Sequence, residues 1–163
     1  MNISFIIPCY NCEATLEDAV SSVYEDNFSP GDEVILVDDC STDTTPGLIE
    51  KLKIKYPGII VSKHNINKGS AAASRNTAID IASHELLFCL DSDNMLMPGT
   101  VSILKQFLLE NNLAAAAFGE IWYFKKTKNA SFMLALVFHL KITSYSAWAG
   151  DIWSWWIVLN AIS

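Results

Sequence analysis

The chain has 163 residues, of which 51% are hydrophobic and 18% charged, and its formal net charge is −7. That length suits a single domain, and that apolar share excludes a disordered or collagen-like chain. The acidic balance also excludes a nucleic-acid backbone binder, because phosphate neutralisation needs clustered Lys and Arg.

The first predicted element is a strand over residues 3–7, an apolar run of strand length without the basic start of a secretory signal. A helix follows, with Leu16, Ala19, Val20 and Val23 on one stripe. Asn11 is its expected N-cap, and Glu13, Glu17 and Asp18 lie early, where the helix dipole favours anions. A second strand is predicted over 33–37. The second helix is expected to start at Thr45-Pro46, to carry Leu48, Ile49 and Leu52, and to close at Pro57-Gly58.

A third strand spans 59–63 and a third helix 70–82, whose Ala71-Ala72-Ala73 run lets it lie close to a sheet or a ligand. The fourth strand covers 86–90. The fourth helix runs from near Pro98 to Glu110 with Val101, Leu104 and Leu108 inward, and a fifth strand fits 114–118, continuing through Tyr123. This alternation predicts an α/β fold with a mainly parallel sheet. Right-handed crossovers place helices on both faces, and near-continuous apolar strands suit a sheet so covered.

Composition changes near Asn129. From Ala130 to Ser163 only Lys141 and Asp151 carry formal charge, and four of the five tryptophans (Trp148, Trp153, Trp155 and Trp156) gather there. The expected organisation is one domain: an α/β core over 1–123, then the incomplete start of a further region over 124–163. The Trp-rich tail is read as core whose cover is absent, ahead of acceptor stacking or a membrane-interface role. No window is long and apolar enough for an ordinary transmembrane helix, and four cysteines are too few for a disulfide scaffold, so a cytoplasmic protein, at most peripheral to a membrane, is expected.

In a doubly wound sheet, ligands bind beyond the carboxyl ends of the strands. Every polar cluster here follows a strand. They are Pro8-Cys9-Tyr10-Asn11-Cys12-Glu13, Asp38-Asp39-Cys40-Ser41-Thr42-Asp43, Asn65-Ile66-Asn67-Lys68-Gly69 (with Arg75 and Asn76 on the next helix), and Asp91-Ser92-Asp93-Asn94. Asp91 and Asp93 can converge on a hard divalent cation, Mg²⁺ or Mn²⁺, whose other positions phosphate oxygens and water fill. An isolated Asp-x-Asp is more often a solvated turn. The matching clusters on neighbouring strands favour the ligand reading.

Every charged side chain from Glu13 to Glu50 is acidic. An anionic ligand therefore needs a metal, or the cations of Lys68 and Arg75. Gly69 permits close backbone approach at a helix start. Asp38 and Asp39 either end the strand ahead of an Asx or Ser turn or give one carboxylate to a ligand N–H or hydroxyl, and Tyr10 offers a flat ring for stacking. Cys9-x-x-Cys12 follows a strand and opens a helix, as a thiol redox motif does, although coincidence in the loop is the better reading. His64, His84 and His139 have no partner at ligand spacing and are read as packed or solvated.

In order and spacing the four clusters, across residues 2–123, resemble the family 2 glycosyltransferases. The resemblance implies a GT-A (Rossmann-like) three-layer sandwich. It further implies an enzyme that moves a sugar from a nucleotide diphosphate sugar, UDP-linked by preference, to a carbohydrate or lipid-linked acceptor hydroxyl, with inversion and with Mn²⁺ or Mg²⁺. On the same resemblance Pro8, Tyr10, Glu13 and Asp39 hold the nucleoside, with Asp39 reaching the base. Lys68, Gly69, Arg75 and Ser92 lie at the nucleotide, Asp93 ligates the metal, and Asp91 serves the ribose or metal.

The family's later acidic motif has no counterpart, and Asp151 is the one weak candidate for the catalytic base. Against the family's pattern the donor half is expected to be complete and the acceptor half cut short. A nucleotide-binding module without transfer is the alternative, ahead of a thiol redox protein.

Overall fold

The computed structural model describes residues 1–110 and, beyond them, only the backbone of four strands. The elements are β1 (Ile3–Cys9), α1 (Leu16–Asp26), β2 (Glu33–Asp38), α2 (Thr45–Lys55), β3 (Ile59–Lys63), α3 (Ala71–Ile81), β4 (Leu86–Cys89), α4 (Thr100–Glu110), β5 (Ala116–Ala117), β6 (Ile121–Thr127), β7 (Ala130–Leu136) and β8 (Trp156–Leu159). The main sheet has the order β3-β2-β1-β4-β8-β5. Its first four strands are parallel, and β8 runs antiparallel between β4 and β5.

Alternation along each strand divides the core in two. Ile3, Phe5 and Ile7 of β1, Val34 and Leu36 of β2, and Leu86 and Phe88 of β4 pack with Leu16, Val20, Ile49, Leu52, Val101 and Leu104. These last six come from α1, α2 and α4. Ile6, Ile35, Val37 and Leu87 point the other way, onto Ala78 of α3. The small residues of α3 let it approach β1 and β2 closely. Both faces of the parallel strands are thus covered, which is why they read as continuous apolar runs.

Two local expectations change. Asn11 is not the cap of α1; that position is Thr15, which makes no side-chain cap bond, while Asn11 sits in the left-handed region at φ 47°. The α1 start is instead reached through a turn in which Thr15 N–H and Leu16 N–H both donate to Cys12 O. The cap of α2 is Thr44, one residue before the expected position, with Pro46 in the first turn. The predicted fifth strand divides: β5 joins the main sheet, whereas β6 leaves it to form a separate antiparallel pair with β7.

Buried polar side chains fasten α1 to the segment that follows β4. Ser22 Oγ donates to Ala19 O at 2.7 Å and accepts the Leu96 N–H at 2.9 Å. Asn27 Nδ2 donates to Ser22 O, and its Oδ1 accepts the Val101 N–H at 3.1 Å, so Asn27 caps α4 from another helix. Asn27→Ala leaves these groups buried without partners. It is expected to lower the unfolding free energy by about 1–3 kcal/mol in urea titration, with Asn27→Asp recovering the part owed to the acceptor.

Candidate functional site

Because β1 to β4 are parallel, their carboxyl ends share one edge. Successive strands grow outward from β1 through β2 to β3, and β4 then returns to the other side of β1. That reversal opens a crevice between the ends of β1 and β4, where open α/β sheets take their ligands. Backbone bonds extend the sheet into the rim: Asp39 N–H donates to Cys9 O at 2.8 Å, His64 N–H to Asp38 O at 2.9 Å and Leu90 N–H to Ile6 O at 2.9 Å.

The loops after β1 and β2 are laced together. Asn11 N–H donates to Ser41 Oγ at 3.0 Å, and Asn11 Oδ1 accepts the Thr42 N–H at 2.8 Å. Cys12 N–H donates to Thr45 Oγ1 at 2.9 Å. One oxygen of Glu13 accepts both the N–H and the hydroxyl of Thr44. Glu13 thus braces the site, with its other oxygen outside that brace. Pro8 is buried within β1, opposite Val37. Tyr10 stands at the rim with 51% of its surface exposed, so its ring is open to a planar ligand.

The two adjacent aspartates at the end of β2 differ. Asp38 is turned inward: Oδ1 accepts the Ser41 N–H at 3.0 Å, and Oδ2 lies 3.7 Å from Lys63 Nζ. Cys40, at φ 61°, makes that turn in a conformation uncommon for a residue with a Cβ. Asp39 faces the β3 side, where Oδ1 receives His64 Nδ1 at 2.6 Å and the Lys68 N–H at 2.9 Å. Burial pushes the Asp39 carboxyl up, but the bonds from His64 and Lys68 outweigh it and hold the group below its ordinary value. Asp39 is an ionised acceptor fixed at the rim.

After β4, Asp91 is paired with Arg75 of α3. The pair ties the third cluster to the fourth. Asp93 is exposed, and its side chain has no partner among the described residues. Ser92 is half-buried beside it. Lys68 and Gly69 are exposed on the loop before α3; Gly69 has φ 72°, so the position needs glycine for its backbone rather than for space. Ser70 caps α3 by accepting the Ala73 N–H.

Among the described residues no three His, Cys, Asp or Glu side chains gather as a complete metal site. Asp91 and Asp93 offer two carboxylates on one short turn. That donor set fits a hard cation that keeps water and phosphate oxygens for its other positions. Asp151 lies outside the described residues, as does His139.

The thiols point elsewhere. All four cysteines are free, and Cys9 and Cys12 belong to the core cluster. Their mutual hydrogen bond lowers the Cys12 thiol to about 7, aided by Ser92 and Thr45 against the upward push of burial, and raises that of Cys9. Cys12 is buried and joins the loop after β1 to Thr45 at the start of α2. His84 is likewise occupied, its Nε2 lying 2.8 Å from Gly31 O at the opposite end of the sheet.

The sequence alone left His64 among the packed or solvated histidines and gave no role to Thr77. The signal was available, since His64 is the first residue after β3 and so stands on the rim that the other clusters define. No helix of the described residues is long and apolar enough to cross a membrane.

Comparison with known proteins adds the following. The sequence model described as Glycosyl transferase family 2 matches residues 4–149. A poly(ribitol-phosphate) beta-glucosyltransferase of Bacillus spizizenii is 34% identical over 108 residues, which are 66% of this chain and 17% of that protein. The poly(ribitol-phosphate) beta-N-acetylglucosaminyltransferase TarS of Staphylococcus aureus is 33% identical over 113 residues, 69% of this chain and 20% of that one.

The chain therefore spans about a fifth of the length of these relatives. The crystal structure of S. aureus TarS 1–349 in complex with UDP-GlcNAc superposes with a TM-score of 0.65 at 32% identity, over 71% of this chain and 33% of that one. A mannosyltransferase of Pyrobaculum calidifontis, in complex with GDP-Man and Mn²⁺, shares the fold at 24% identity with a TM-score of 0.65, over 71% and 34% of the two chains.

Proposed function

Since the chain belongs to glycosyl transferase family 2, we propose that its rim binds a UDP-sugar together with a divalent cation, for transfer of the sugar to an acceptor hydroxyl with inversion. The supporting observation is the ionised Asp39 carboxylate, held by His64 and Lys68 on the same strand-end rim as the Asp91–Ser92–Asp93 turn. Uracil carries a ring N–H, which a fixed carboxylate accepts. Tyr10 stacks on the base. Lys68 and Arg75 supply cationic donors to the diphosphate in a region otherwise acidic. Asp93, with Asp91, holds the cation.

The chemistry that a bound Mg²⁺ or Mn²⁺ supplies is neutralisation of the charge left on the departing diphosphate. The sugar then passes through an oxocarbenium-like state. A carboxylate base must meet the acceptor hydroxyl from the other side of the ring. The acceptor is a carbohydrate or lipid-linked chain, and in the relatives named above it is a poly(ribitol-phosphate).

Base selectivity tests this reading. Cytosine presents a lone pair where uracil presents its N–H, so CDP sets an acceptor against a carboxylate. Isothermal calorimetry in MnCl₂ is expected to give UDP a Kd roughly 10–100-fold below that of CDP, the worth of one charge-assisted hydrogen bond. EDTA is expected to weaken both. A folded sample that binds no nucleoside diphosphate in the presence of Mn²⁺ refutes the proposal.

A further inference from the structure

We propose that His64 is a positioning residue, which fixes the Asp39 carboxylate so that the rim selects a nucleobase bearing a ring N–H. The inference rests on the reading of Asp39 given above and adds a second residue to it.

Three elements meet at the imidazole. His64 lies at the end of β3, and its own N–H continues the β2–β3 ladder to Asp38 O at 2.9 Å. The ring is 10% exposed in its side chain. Nδ1 stands 2.6 Å from Asp39 Oδ1, and Nε2 stands 2.9 Å from Thr77 Oγ1 on α3. Both nitrogens are therefore used, as burial requires, and one of the two bonds ends on a carboxylate of the rim.

An ionised carboxylate can only accept, so Nδ1 is the donor to Asp39. Nε2 meets the Thr77 hydroxyl, which also lies 3.1 Å from Ala73 O, one helical turn back. The ring is held at both nitrogens, between α3 and the end of β2.

The consequence falls on Asp39. Its bonds from His64 and from the Lys68 N–H both end on Oδ1. Rotation of the carboxylate about its Cβ–Cγ bond would break both at once. A ligand N–H then meets a carboxylate already set at a fixed angle, without the ordering cost that a free side chain incurs. A pinned carboxylate also penalises the wrong base more, because it cannot turn away from a ring lone pair.

A histidine that merely stitched β3 to α3 would matter for folding but not for the choice of base. The test therefore reads selectivity. The full 163-residue chain and its variants are titrated with UDP, CDP and inorganic pyrophosphate in MnCl₂. Asp39→Asn comes first, and it is expected to collapse the UDP:CDP ratio. His64→Leu is expected to reduce that ratio about tenfold while pyrophosphate affinity stays within about twofold, since only the base contact is loosened.

His64→Asn, whose Nδ2 lies where Nδ1 does, is expected to recover the ratio to within about threefold of the parent, because the donor to Asp39 returns. Thr77→Val keeps the shape and removes the anchor of Nε2; a ratio lowered at least about twofold is expected, and it serves even where His64→Leu fails to fold. An unchanged ratio in Thr77→Val, or in folded His64→Leu, overturns the role of His64 alone. An unchanged ratio in Asp39→Asn overturns both this inference and the reading of Asp39 beneath it.

Discussion

Asp93→Ala is expected to abolish the Mn²⁺ dependence of UDP binding and to weaken that binding in MnCl₂ on the order of 100-fold, the upper end of what even an outer-shell partner of a metal ligand is worth. The two carboxylates of the turn are not equivalent. Asp91 is committed to Arg75, and removing it strands a guanidinium in a half-buried place. Asp93 is exposed and unpartnered among the described residues.

Truncating Asp93 therefore removes no hydrogen bond or ion pair among the described residues and should move stability by no more than about 0.5 kcal/mol. Thermal melting beside calorimetry separates the two effects. The expected pattern is an unchanged melting temperature with a Kd that EDTA no longer alters. Should Asp93→Ala retain the parent's response to EDTA, the cation is held elsewhere.

Phe5→Ala carries the largest expected loss of stability, about 3–5 kcal/mol, by lost transfer energy and the cavity left behind. Phe5 is fully buried in β1, a strand with parallel neighbours on both sides, and stands in register with Val34 of β2 and Phe88 of β4. Its ring lies 5.6 Å from that of Phe88 at an interplanar angle of 40°.

No neighbour can collapse into the gap without shifting a helix of the α1, α2 and α4 layer. A domain of this size has only about 5–15 kcal/mol in total. Urea unfolding is expected to show the midpoint falling with an unchanged slope, while Ile54→Ala, 88% exposed on α2, stays near the parent. A loss below about 1 kcal/mol at Phe5 would mean that this layer is not the one that holds the sheet.

Both effects arise in the part of the chain whose fold was legible in advance. The strands expected at 3–7, 33–37, 59–63 and 86–90 stand as β1 to β4 within two residues at each end, and the stripes named on the helices face inward. Periodicity reports such elements because burial acts on neighbours a few residues apart. The rim was legible for a related reason. Parallel strands share a direction, so polar clusters that each follow a strand must come to one edge.

What could not be read locally was pairing at a distance. Nothing within Trp156–Leu159 announces that it will enter the sheet antiparallel between β4 and β5, because its partners' open edges are made by segments tens of residues away. The same limit separated β5 from β6, which a single apolar stretch had joined. It also concealed the histidine: His64 acquires its role only when β2, β3 and α3 are brought together, with Asp39 and Thr77 at its two nitrogens.

The amino-acid order by itself determined the α/β class, the layers and the edge at which chemistry collects, since short-range burial and strand direction suffice for these. Only the tertiary structure decided how the two adjacent carboxylates differ, Asp38 turning to the Ser41 N–H and Asp39 to His64 and the Lys68 N–H. The physical reason is that a side chain's hydrogen-bond partners are chosen by packing across elements, and that choice is not encoded at any one position along the chain.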